Sequence, residues 1–283
     1  MTYRILTTAS ILALSTAGAH AAGHAGNMGY ALADDGATLV VMADIASPAD
    51  LQTFELASPV DAIAWRPVTG ELLGITNGMV GTIDPMSGEM TDLEASFGDD
   101  ATLSGDAVAF DFNNAIDAVR ALSTGGDNLV YFPVGFGDND DRANTVVRMT
   151  DLAYAEGDDN ADATPMVFAN AYTNAINGET AGSTFQYGID AETDSLVSVA
   201  NNEGTLETIG AITVDGEEVD VAPMGGFDIV SPSEDENAAY AILQMEGADN
   251  AGLYMIDTDT GAATMLADLG MGGFSGFAVS MPQ

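Results

Sequence analysis

Short apolar runs alternate with turn-forming residues along most of this chain. Residues 38–42, 72–75, 128–132 and 253–256 show the pattern: each is rich in Val, Ile, Leu or aromatic residues and is bounded by Gly, Asp, Asn, Pro or Thr. Short runs of this composition between turn signals predict β-strands. No long stretch keeps the 3.6-residue apolar period with the caps that a helix needs. The pattern therefore predicts an all-β fold.

Two elements recur within it. The first reads small, large, small or polar, large: Ala62-Ile63-Ala64-Trp65, Ala109-Phe110-Asp111-Phe112, Gly226-Phe227-Asp228-Ile229 and Gly276-Phe277-Ala278-Val279, with a looser copy at Ala169-Asn170-Ala171-Tyr172. The second is a strand that ends in a polar turn: Ile83-Asp84-Pro85-Met86-Ser87-Gly88, Ile189-Asp190-Ala191-Glu192-Thr193-Asp194 and Ile256-Asp257-Thr258-Asp259-Thr260-Gly261. Asp at the first turn position can accept a hydrogen bond from the backbone two residues on, and Gly supplies a positive φ. The elements alternate at about 50 residues, the spacing of β-propeller blades of four strands. The first element is the expected innermost strand, its small residues facing a crowded channel. The count predicts five blades. Six shorter ones are the other possibility, the extra one falling in residues 132–164. The N-terminal runs lack an inner strand and the C-terminal run lacks outer ones, so joining them completes one blade and closes the ring, which removes exposed sheet edges. A non-cyclic solenoid or a sandwich is the alternative architecture.

Residues 1–21 have the form of a secretory signal peptide: Arg4, an apolar run too short to span a bilayer, and Ala19-His20-Ala21 at the cleavage position. No twin arginine precedes the run, which points to the general secretory route and a periplasmic or extracellular destination. No Cys is present, so no lipid anchor forms there, and no transmembrane anchor is expected. Residues 22–28 are then a flexible mature N-terminus, and 29–283 one propeller domain.

Composition narrows the chemistry. The 283 residues carry 44 acidic and five basic side chains, a formal net charge of −39; all five basic residues are arginines, and Cys is absent. These facts exclude cysteine nucleophiles, thiolate metal sites, disulfides, Schiff-base lysines and the P-loop lysine. Nucleic acid is excluded as a partner too, because phosphate binding relies on clustered Lys and Arg. The two histidines are His20 and His24; with His24 alone in the mature chain and no G-x-S-x-G elbow, a Ser–His–Asp site is not expected. Gly270 to Gly276 precedes no helix, so a dinucleotide loop is not expected either. Acids spread along the whole chain favour a soluble monomer and, with no Lys, resemble adaptation to salty surroundings.

The longer motifs resemble a known family. Val108-Ala109-Phe110-Asp111-Phe112-Asn113, followed by Ile116-Asp117-Ala118-Val119-Arg120, is similar to the F-D-F-N…D-x-[IV]-R stretch of the bacterial domain-of-unknown-function 4394 family. Gly157-Asp158-Asp159-Asn160, Thr164-Pro165 and Ala171-Tyr172-Thr173-Asn174 resemble its G-D-x-N…T-P…A-Y-T-N stretch. Tyr187-Gly188-Ile189-Asp190 and Gly225-Gly226-Phe227-Asp228-Ile229 continue the match. The resemblance implies an exported, propeller-like domain and assigns no catalytic residue. The chain departs from the pattern in the acidic segment 135–144 and in having no Lys.

Candidate chemistry follows from the residues that stand out. Asp138, Asp140 and Asp141, and Asp158 and Asp159, lie in oxygen-rich segments that could hold calcium, although neither matches the EF-hand spacing. The alternative is a solvated acidic loop, and no other cofactor is expected. Arg66 and Arg120 follow inner-strand elements, and Arg142 and Arg148 flank the acidic segment. Each could form an ion pair, with Asp111, Asp117 or Asp228 as partners, or Arg66 and Arg120 could line a channel-mouth site for an anionic ligand. Asp111 and Asp228 share one repeat position. They could act as an acid–base pair or bond to the neighbouring blade. Trp65 follows the inner-strand period and is expected in the core. The leading function is a non-catalytic binding or interaction module that uses its channel mouth or loop face. The alternatives are a carboxylate-based or calcium-assisted hydrolase or lyase, and a structural envelope-associated scaffold.

The charge makes one expectation independent of the fold's details. The melting temperature of the protein rises with NaCl as the Debye length shrinks from about 10 Å at 0.1 M to about 3 Å at 1 M. Scanning calorimetry across that range checks it, and a flat response contradicts self-repulsion as a destabilising force.

Overall fold

A computed structural model of the chain describes residues 26–48 and 51–282. The proposed signal peptide, with Arg4, His20 and His24, lies outside the described residues. Within them the fold is all-β; one turn of 3₁₀ helix, Asn201–Glu203, is the exception. Among the described residues no helix is long and apolar enough to cross a membrane.

The strands fall into consecutive antiparallel meanders. Strands β1 (Met28–Ala33), β2 (Thr38–Met42) and β3 (Leu51–Glu55) open the chain. Strands β4 (Ala62–Arg66), β5 (Glu71–Thr76), β6 (Met79–Ile83) and β7 (Met90–Asp92) form a sheet in sequence order. The next unit contains β8 (Ser96–Phe97), β9 (Val108–Asn113), β10 (Ala118–Ser123), β11 (Asn128–Phe132) and β12 (Thr145–Arg148). Its order is β8-β12-β11-β10-β9. The same plan recurs in β13 (Ala153–Tyr154), β14 (Val167–Tyr172), β15 (Gln186–Asp190), β16 (Ser195–Val199) and β17 (Thr205–Ala211), ordered β13-β17-β16-β15-β14. It recurs again in β18 (Thr213–Val214), β19 (Glu217–Glu218), β20 (Val221–Ser233), β21 (Glu236–Met245), β22 (Ala251–Ile256) and β23 (Ala262–Asp268). The last strand, β24 (Ser275–Ser280), pairs antiparallel with β1, so the two ends of the chain share a sheet. Tyr30 and Ser280 hydroxyls meet across this seam at 3.1 Å. A single parallel bridge, Gly225 to Ser275, joins β20 to β24; the other sheets are separate hydrogen-bonded units.

Each copy of the small–large element lies in the first strand of its meander: β4, β9, β14, β20 and β24. These five strands sit side by side in a cycle, β4 beside β9, β9 beside β14, β14 beside β20, β20 beside β24 and β24 beside β4. The looser copy in β14 is thus equivalent to the others. The turn prediction also holds at the atomic level. Asp84, Asp190 and Asp257 accept bonds from the N–H of Met86, Glu192 and Asp259 at 2.8, 2.8 and 2.9 Å, and Gly88 and Gly261 take φ of 73° and 81°.

The core is built between meanders. One apolar cluster joins Ala62, Leu73 and Val80 to Phe110, Phe112 and Tyr131 across the β4 and β9 units. Others join Ala109 and Leu122 to Val167 and Val197, Phe168 and Ile189 to Phe227 and Tyr254, and Val230 and Tyr240 to Ala31 and Phe277. A fifth joins Leu32 and Leu39 to Ile63 and Leu72. Trp65 packs at the edge of this last cluster, stacked on Tyr30 with centroids 5.5 Å apart.

Two expectations are corrected. Residue 28 is not part of a flexible leader, because β1 begins there. Residues 132–164 contain no further meander: β12 is an outer strand of one flanking sheet, between β11 and β8, and the two-residue β13 is the edge strand of the other. Close approach of the inner strands is tight enough to test. A Cβ at Gly226 would lie 2.3 Å from the Phe277 main-chain N, whereas one at Gly98 would have nothing nearer than 3.4 Å. Gly226→Ala lowers the unfolding free energy by about 1–3 kcal/mol, and Gly98→Ala leaves it nearly unchanged, as measured by denaturant titration.

Candidate functional site

The carboxylates at the shared repeat position act as cross-strand staples. Asp111 on β9 accepts the N–H of Tyr172 on β14 at 2.7 Å. Asp228 on β20 accepts the N–H of Val279 on β24 at 2.5 Å. Tyr172 and Val279 are themselves equivalent positions of the next unit. Apart from the Gly225–Ser275 bridge, the inner strands are not paired with one another, so N–H groups on their axial side need another acceptor. A side-chain carboxylate from the preceding unit supplies it. Both acids are 4% exposed. Burial pushes the Asp111 carboxyl well up, and the charge of Asp228 pushes it further; N–H bonds from Tyr172 and Phe112 offset part of this. Burial likewise pushes Asp228 up, to about 7, against the N–H bonds of Val279 and Ile229. Two buried like charges cannot ionise together cheaply.

The arginines are occupied. Arg66 grips Asp117 through Nε and Nη2 at 2.8 and 2.5 Å and reaches Glu71 at 3.3 Å. Arg148 holds Asp127 and Asp151. Arg142 pairs with Asp140 and lies over the rings of Phe132 and Phe136. Arg120 departs from the expectation of an ion pair. It is 4% exposed, and its partners are neutral: the Tyr172 hydroxyl at 2.8 Å, the Asn202 amide oxygen at 2.9 Å and the Asn128 amide oxygen. The Tyr172 hydroxyl, pushed up to about 12 by burial, stays protonated and links this cluster to Gln186 and Asn201. Arg120 thus ties β10 to β14 and to the β16–β17 turn.

The acidic segments are dispersed. Asp140 is held down to about 2 by the Arg142 hydrogen bonds. Asp158 accepts the N–H and hydroxyl of Thr208 at 2.7 and 2.8 Å and the N–H of Asn160 at 2.8 Å. Asp138, Asp141 and Asp159 are exposed. Among the described residues, no three His, Cys, Asp or Glu side chains gather as a metal-holding group.

Sequence reasoning did not single out the crevice at the end of the cycle where inner strands begin. This cavity of about 270 Å³ is walled by Asp61 ahead of β4, Ser104 and Asp106 ahead of β9, Ser275 at the start of β24, Asp35 in the β1–β2 turn and Asn77 in the β5–β6 turn. Three units meet there. Its three carboxylates face solvent with no arginine in the wall. Burial against the wall pushes the Asp61 carboxyl up, with an Asn77 backbone bond opposing. The wall is braced from behind. Asn77 both donates to and accepts from the Leu103 backbone, at 3.0 and 2.7 Å. Asp127 accepts the N–H and hydroxyl of Ser104 at 2.5 and 2.6 Å and the hydroxyl of Ser123 at 2.7 Å. Burial alone would raise the Asp127 carboxyl, but these donors and Arg148 hold it below its ordinary value. The available signal was an acid just ahead of two inner-strand elements, Asp61 before Ala62 and Asp106 before Ala109. A larger opening of about 440 Å³ lies against Glu71, Asp84 and Glu89, but one sheet and its turns make all of it. None of Arg66, Asp111, Arg120 and Asp228 lines the crevice.

Comparison with known proteins adds a family and a distant structural likeness. The family model described as Domain of unknown function (DUF4394) matches residues 40–278. No curated protein matches the chain. Among solved structures, a Nidogen/Laminin complex chain is 10% identical, with 91% of this chain and 100% of that chain covered and a TM-score of 0.47. An auxiliary nutrient binding protein from Bacteroides ovatus is 12% identical, covering 75% and 55%, with a TM-score of 0.41. The Myceliophteria thermophila Cps50 (Swd1) β-propeller domain is 11% identical, covering 81% and 62%, with a TM-score of 0.36.

The buried acid pair has a pH signature. Asp228 holds a proton in the folded state that the unfolded chain has released, so its contribution is fully present below the unfolded value near 3.8 and is lost as pH rises through about 7. Asp228→Asn reduces this fall: the melting temperature of wild type drops relative to that of the variant between pH 4 and pH 7. A gap that stays constant across the range contradicts the assignment.

Proposed function

The chain belongs to the DUF4394 family, whose description assigns no function, and on that premise we propose that it is an exported five-bladed β-propeller acting as a non-catalytic binding module. The propeller reading is supported by the cycle of five inner strands, the one apolar cluster between each neighbouring pair of units, and the β1–β24 seam. Export rests on the residue pattern of positions 1–21. The ligand class proposed is a small organic cation, bound in the crevice where inner strands begin.

The observation that carries this reading is the crevice itself: about 270 Å³, shared by three units, with Asp35, Asp61 and Asp106 in its wall and no basic residue. Pockets for small molecules typically pair apolar walls with a few placed polar groups. Here Val60, Leu103 and Val108 supply the apolar part, and Ser104 and Asn77 supply hydrogen-bonding walls. A carboxylate-lined pocket in a chain of net charge −39 attracts cations and repels anions before contact. The hydrolase alternative needs Asp111 and Asp228 to reach a substrate. Their burial and their bonds to neighbouring strands weigh against it, as does an axial cavity of only about 10 Å³.

Spermidine and choline serve as probes in isothermal titration at low salt. Binding of at least one is expected, and Asp61→Asn with Asp106→Asn weakens it about tenfold or more, about 1.4 kcal/mol. Glu217→Gln with Glu218→Gln removes the same charge from the exposed β19 and leaves binding unchanged. No heat with either probe, or equal weakening in both double variants, contradicts a crevice-specific site.

A further inference from the structure

We infer that the cavity at the axis of the inner strands is a binding site for one water molecule, held by Asn170. The second position of the small–large element carries Ile63, Phe110, Phe227 and Phe277 in four units and Asn170 in the fifth. All five line one cavity of about 10 Å³. Asn170 is 1% exposed, and neither its amide nitrogen nor its amide oxygen has a hydrogen-bond partner among the described residues. The lone polar departure from the repeat is therefore also the place where a buried amide has both ends open.

Leaving a buried polar group unpaired is costly, so the chemistry of the amide identifies its occupant. The oxygen needs a donor and the nitrogen needs an acceptor. A cation serves the oxygen and opposes the N–H groups; an anion does the reverse; an alkyl group serves neither. Water serves both. The volume matches as well, since about 10–15 Å³ measured this way is the room one water needs. Further bonds come from main-chain groups on the axial edges of the inner strands, where the one sheet pairing between inner strands is the Gly225–Ser275 bridge. Gly226 and Gly276 lie in the same wall and bring that main chain close. Asp111 and Asp228 stand one residue farther along their strands and are engaged with Tyr172 and Val279, so they do not compete for the occupant. This site is independent of the crevice reading and of any ligand bound there.

A high-resolution crystal structure of the wild-type protein is expected to show one water within hydrogen-bond distance of both amide atoms. Oxygen-17 relaxation dispersion is expected to show one long-lived water fewer in Asn170→Leu than in wild type, with a lower melting temperature for the variant. Three results overturn the inference: a cavity with no density; an Asn170→Leu protein that melts higher than wild type, as expected if leucine simply restores the apolar rule of the repeat; or a bound peak that responds to sodium or calcium, which makes the site a cation site. If Asn170→Leu does not fold, the wild-type crystal structure decides alone.

Discussion

Everything in this fold depends on one requirement: a sheet that is apolar on both faces must have a neighbour on each. A meander alone would leave one or both faces in water. Each pair of neighbouring units here shares one apolar cluster, and the pairs run round a cycle from β4 to β24 and back. No disulfide contributes, since Cys is absent, and the charge opposes compaction. Apolar burial between sheets is the force left to hold the molecule. The pairing of β1 with β24 follows from the same requirement, because without it the last inner strand would have no meander to complete.

Convergence of five inner strands raises a second problem, which the centre answers locally. Small residues such as Ala62, Ala109 and Gly226 permit the approach, and main-chain N–H groups are then left facing the axis. Carboxyl oxygens can accept from them, and Asp111 and Asp228 take that role at the same position of two units. The consequence is a pair of buried acids that look catalytic in isolation and are structural in place. The crevice lies instead at the open end of the cycle, where the lead-ins to the inner strands and the turns beside them are free of that packing demand. Asp127 then stiffens the crevice from behind without entering it, and Asn77 fixes the wall to the Leu103 main chain.

The strands and turns were legible because their signals are local. The alternation of small and large residues marks the inner strands, and Asp with Gly marks the turns at Asp84 and Asp257. Strand β1 was hidden by its Gly- and Ala-rich surroundings, although Tyr30 and Leu32 alternate with small residues as an edge-to-seam strand should. The short strands β8, β13 and β18 carry no signal of their own; they exist because a neighbouring outer strand accepts them. The fate of Arg66 was half visible, since Asp117 was among the acids considered for it. Arg120 was not, because its partners Asn128, Tyr172 and Asn202 come from three separate stretches of chain and none is charged.

The chain by itself therefore determined the class of structure, the repeat and its turns, the absence of cysteine and lysine chemistry, and the acidity. These are properties of residue type and spacing along one dimension. Tertiary structure decided which of the 44 acids are staples, which are solvated and which share a crevice. It also decided that the Asn170 amide has no hydrogen-bond partner among the described residues. A side chain's hydrogen-bond partners and its burial depend on segments distant in sequence meeting in space, and local pattern does not encode which segments those are.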